Sequence, residues 1–106
     1  MPRYLIQASY SANGLKGLQK DKASGRKAAV IEAAESLGGK LETIYYALGQ
    51  DDVFVVLEMP DSASAAALSV AVSAAGLVRT KTTALLTVEE MDVALAKSVA
   101  YRPPGG

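Results

Sequence analysis

The sequence predicts an α+β fold of the split βαβ kind: a four-stranded antiparallel sheet, two main helices on one face and a short C-terminal helix. The strongest observation is a hairpin. Leu41 to Leu48 and Val53 to Met59 are rich in β-branched and aromatic residues and flank the turn Gly49-Gln50-Asp51-Asp52. The second is alternation of side-chain character in two further segments, Arg3 to Tyr10 and Leu77 to Leu86. The third is a pair of alanine-rich stretches with apolar residues at helical spacing, each stopped by glycine.

The elements follow in order. In the first strand Tyr4, Ile6, Ala8 and Tyr10 share one side, and Leu5, Gln7 and Ser9 the other. Ser11 through Gly25 reads as a loop of small and charged residues. Val30, Ala33, Ala34 and Leu37 then form a helical stripe ended by Gly38-Gly39. After the hairpin, Pro60 blocks strand pairing and Asp61 or Ser62 caps a second helix. Its stripe, Ala65, Leu68, Val72 and Ala75, runs to Gly76. The last strand sets Arg79, Lys81, Thr83 and Leu85 against Val78, Thr80, Thr82 and Ala84. Thr87-Val88-Glu89-Glu90 is a capping box for a short helix with Met91, Leu95 and Val99 behind it. The Pro-Pro-Gly-Gly tail cannot be helical. Residues 1–106 read as a single domain, without repeat or linker.

Two faces of the sheet result. The set Tyr4, Ile6, Ala8, Thr43, Tyr45, Ala47, Val55 and Leu57 is expected beneath the helices. The opposite set contains Leu5, Ile44, Phe54, Val56 and Leu85, an apolar group too large to leave in water. These five are the expected interface residues of a homodimer or higher homo-oligomer.

Composition narrows the chemistry. Eleven Lys and Arg balance eleven Asp and Glu, which removes the positive field that would favour nucleic acid or an anionic membrane as a partner. The chain has no Cys and no His, so it lacks thiolate nucleophiles, imidazole bases and the usual zinc and haem ligands. No cofactor and no metal is implied. With no apolar leader and no run of membrane-spanning length, a soluble cytoplasmic location is expected.

Several stretches resemble the GYD family of small bacterial proteins, and the likeness covers nearly the whole chain. They are Tyr4 to Tyr10, Gly14-Leu15-Lys16-Gly17, Leu37-Gly38-Gly39-Lys40, Tyr45-Tyr46-Ala47-Leu48-Gly49 and Lys81 to Thr87. The family takes its name from a Gly-x-Tyr-Asp turn. Here the turn is Gly49-Gln50-Asp51-Asp52, so Gly49 and Asp52 match while Asp51 stands in place of the tyrosine. The resemblance implies a ferredoxin-like fold of the dimeric α/β barrel type. It implies no particular activity, because the family is largely without one.

Candidate site residues come from the expected register of the non-helical face. Gln7, Ser9, Tyr46, Glu58, Lys81 and Thr83 project there and would line the space between two packed sheets, where a small molecule is expected to bind. Tyr46 and Lys81 are the candidate catalytic pair, since a phenol and an ammonium held close share protons readily. Three functional classes follow: a small-molecule-binding domain, a cofactor-independent monooxygenase or isomerase, and a structural assembly module. The competing reading of the same residues is hydrogen bonding across an oligomer contact. Lys16, Lys20, Lys22, Arg26 and Lys27, with glycines between them, read as a solvated charge run rather than a phosphate loop. Asp51 and Asp52 read as turn residues that satisfy local backbone donors.

Overall fold

The computed structural model describes residues 1–106. Strand β1 (Arg3–Tyr10) leads into helix α1 (Ala12–Ser36), and the hairpin β2 (Lys40–Tyr46) and β3 (Val53–Glu58) follows. Helix α2 (Ser62–Ala74), strand β4 (Val78–Leu85) and helix α3 (Val88–Leu95) complete the chain. The strands lie in the order β2-β3-β1-β4 with every pair antiparallel, the α+β ferredoxin-like arrangement. β1 and β3 are central, and they carry the most apolar residues.

Burial in these two strands alternates residue by residue. Tyr4, Ile6 and Ala8 of β1 and Val53, Val55 and Leu57 of β3 are buried against the helices with Ala34, Met59, Ala65 and Leu68. Leu57 and Met59 are wholly enclosed, each contributing about 1.5–3 kcal/mol of apolar burial. Small helix residues allow close approach to the sheet. α2 is tied to β4 by Ser69 with Thr82 at 2.6 Å and Ser73 with Thr80 at 3.1 Å, and to β1 by Ser62 with the Tyr4 phenol at 3.0 Å.

The segment expected as a loop, Ser11 to Gly25, is instead the first half of α1. Ser11 caps it by accepting a hydrogen bond from Gly14 N at 3.0 Å, and its own N–H donates to Leu77 O at 2.9 Å. Gly14 lets the helix start pass this close to the chain, since a methyl group there would collide with the Leu77 carbonyl. The helix is broken once, at Lys22, whose φ of 66° and ψ of 166° lie outside the helical region.

The register of β2 is also corrected. Leu41 pairs with Leu57 and Thr43 with Val56, so Glu42 is an extra residue and the strand carries a bulge. A single inserted residue exchanges the faces of everything after it. Ile44 and Tyr46, opposite Val55 and Val53, therefore face the helices, while Thr43 and Tyr45 face away. Alternation counted from Leu41 without the bulge gives the reverse.

Candidate functional site

The open face of the sheet can be read from its register. One cross-strand row is Glu58, Arg3 and Leu85; the next is Thr43, Val56, Leu5 and Thr83; the third is Tyr45, Phe54, Gln7 and Lys81; the last is Ser9 and Arg79. Its apolar centre, Leu5, Phe54 and Val56, is only partly covered. Charged groups hold the two ends. At one, Arg3 lies 3.0 Å from Glu42 and 3.6 Å from Glu58. At the other, Asp51 gathers a polar cluster.

Asp51 Oδ2 lies 3.2 Å from Lys81 Nζ and accepts from Gln7 Nε2 at 3.2 Å, while Oδ1 accepts from Ser9 Oγ at 3.0 Å. Its side chain is 10% exposed against 61% for Lys81, so the carboxylate is the seated member of the pair. The Lys81 hydrogen bond, helped by Ser9 and Gln7, holds the Asp51 carboxyl below its ordinary range. Asp52 has the structural task expected of a turn residue: it accepts from Tyr10 N at 2.8 Å, and its backbone bonds Ala8 and Ala47.

Of the expected site residues, Gln7, Ser9 and Lys81 meet at Asp51. Thr83 lies one row away beside Leu5, and Glu58 sits at the opposite end with Arg3. Tyr46 is on the other face altogether, so it and Lys81 cannot meet one ligand within a protomer. Ile44 leaves the expected interface for the same reason, and Leu5, Phe54, Val56 and Leu85 remain on the open face.

On the helical face Tyr46 borders a second feature. An apolar cavity of about 100 Å³ lies between the sheet and the helices, floored by residues such as Val53 and Val55 and roofed by Ala29, Ala33 and Val72. The alanines are its cause, because they leave volume that larger side chains would fill. Tyr10, Tyr46 and Arg26 supply the polar groups on its α1 side, with Tyr46 39% exposed. Burial, then the neighbouring Tyr10 phenol, raises the Tyr46 pKa to about 12, with Arg26 opposing the rise. Tyr46 thus keeps its proton at neutral pH.

Sequence reasoning missed Tyr10, Arg26 and Asp51. The alternation of β1 places Tyr10 on the helical side. Arg26 was hidden in a charge run because the bent first half of α1 was not recognised. Asp51 was visible only as a turn residue.

Comparison with curated proteins and with solved structures finds no significant match. No helix is long and apolar enough to cross a membrane. The GYD domain family model matches residues 4–95, which takes in β1 from Tyr4 onward, the other three strands and all three helices, and the chain belongs to that family.

Proposed function

We propose that the protein binds a small, largely apolar molecule bearing one carboxylate or other oxygen acceptor, and that it works as a homodimer or larger homo-oligomer joined through the open sheet face. The cavity beside Tyr10, Tyr46 and Arg26 carries this reading. Its lining is almost wholly apolar and reaches solvent past Tyr46, so an occupant would gain apolar burial on entering it. An enclosed apolar space of about 150 Å³ holds benzene, so this cavity suits a short branched chain or part of a ring, with the oxygen turned toward the phenols and the guanidinium.

The open-face cluster is a weaker candidate for that ligand, because Asp51 already takes the hydrogen bonds of Gln7, Ser9 and Lys81. The separation of Tyr46 from Lys81 likewise disfavours a monooxygenase or isomerase that needs both. The apolar rows of Leu5, Phe54 and Val56 support assembly through this face, since an interface with an apolar centre and charged ends is the common pattern.

Titration with benzoate, isovalerate and neutral indole, followed by amide chemical shifts, tests the binding reading. Saturable changes around Tyr10, Arg26, Ala33 and Tyr46, larger for the acids and lost in Ala33→Leu, are expected. Absence of saturation by all three probes at millimolar concentration, with Ala33→Leu merely stabilising the fold, overturns it and leaves the assembly-module reading.

A further inference from the structure

The chain exposes 7318 Å², whereas a compact monomer of its mass exposes about 5,600 Å². The excess of about 1,700 Å² is roughly twice the 800 Å² that each partner gives up in a standard interface. Its radius of gyration is 16.8 Å against about 13 Å for a compact domain of this length, and the molecule is 56 Å long by 32 Å by 23 Å.

The C-terminal segment is the longest unbroken contributor to this. Every residue from Val88 to Gly106 is exposed, including Met91 at 46%, Leu95 at 70%, Val99 at 78% and Tyr101 at 71%. Yet the helix is deliberately started: Thr87 Oγ1 accepts from Glu90 N at 3.0 Å, and Glu90 Oε1 accepts from Thr87 N at 2.9 Å. An eight-residue helix is marginal alone in water and needs a surface to hold it. Its own chain offers none. Val88, Met91 and Leu95 share one side, and Glu89 and Asp92 add acidic charge to the same helix.

We infer that α3 is an exchanged arm, which in the homodimer packs on a second copy along the β4 edge of that copy's open sheet face. Charge supports this occupant. Arg79 stands on that edge strand without an acidic partner in its own chain, and Lys81 beside it is mostly exposed. The acidic first turns of the arm complement them. A two-fold contact with the sheets antiparallel brings the Leu85 end of one β4, where the arm departs, toward the Arg79 end of the other. The arm also supplies the apolar area that the half-covered Leu5, Phe54 and Val56 do not provide by themselves. This inference rests on the homodimer reading above.

The chain has no cysteine, so engineered thiols report the contact cleanly. Arg79→Cys and Asp92→Cys are made as separate full-length variants, mixed and oxidised. A covalent heterodimer is expected, in clear excess over the disulfide dimer that either variant forms alone. Met91→Asp with Leu95→Asp, both at exposed positions, is expected to weaken self-association about 100-fold with an unchanged circular dichroism spectrum. A wild type that is monomeric at micromolar concentration overturns the homodimer reading and the arm together. A wild-type dimer that survives the double substitution unweakened, with no cross-link in the mixture, overturns the arm alone.

Discussion

Lys81 and Asp51 form an ion pair of 3.2 Å that ties the last strand to the turn of the hairpin. Lys81 is the exposed partner, while Asp51 is almost covered and also accepts from Gln7 and Ser9. The folded state lowers the Asp51 pKa, so the stabilisation is present above the ordinary value near 3.8 and is lost as pH falls through the lower folded value. The fall in melting temperature between pH 5 and pH 3 is therefore expected to shrink in Asp51→Asn. An identical fall in both proteins would deny Asp51 this role.

Tyr46 titrates in the opposite sense. Folding raises its pKa from 10.0 to about 12, so its stabilising share is complete below pH 10 and disappears as the pH climbs through about 12. Ultraviolet titration of phenolate, taken as the difference between wild type and Tyr46→Phe, should show one phenol ionising near pH 12. A difference curve centred near pH 10 would mean that the Tyr10 contact and burial do not act on it.

Lys22 holds a backbone conformation that side-chain-bearing residues rarely adopt, with φ at 66° and ψ at 166°. Strain of this kind costs about 1–3 kcal/mol, and glycine relieves it. Lys22→Gly should therefore stabilise the protein by about 1 kcal/mol in urea unfolding, net of the extra freedom of the unfolded chain. Destabilisation by a similar amount would show that the break in α1 is unstrained.

Val56 stands between Leu5 and Thr43 in the middle of the open face. On the proposed assembly, Val56→Lys is expected to give a monomer or an unfolded chain, because an ammonium buried unpaired in a packed contact is costly. Light scattering at micromolar concentration decides. An unchanged mass would place the contact elsewhere on the molecule.

Local chemistry reveals the strands, the second helix and the capping box of α3 because each depends on neighbours a few residues apart. Thr87 and Glu90 form their reciprocal bonds as their spacing requires. What stays hidden depends on distant partners. The first half of α1 is polar and rich in Lys and Gly, and Ser11 and Gly14 anchor it by meeting Leu77 from the other end of the chain. The β2 bulge is set by pairing with β3, not by any feature of Glu42 itself. That residue moved Tyr46 from the expected site to the cavity and left Asp51, not Tyr46, beside Lys81.

The bulge also governs which length changes this hairpin tolerates. Loss of Glu42 alone would remove the bulge and restore simple alternation, with Thr43 still opposite Val56 and with Ile44 and Tyr46 still under the helices. Every substitution in β2 touches one side chain, but a one-codon deletion of Tyr45 would make Ile44 and Tyr46 neighbours and turn one of them out to solvent. In descendants of this gene, a single-residue loss between Leu41 and Tyr46 should thus fall at the bulge, while the Gly49-Gln50 end of the turn remains free to vary in length.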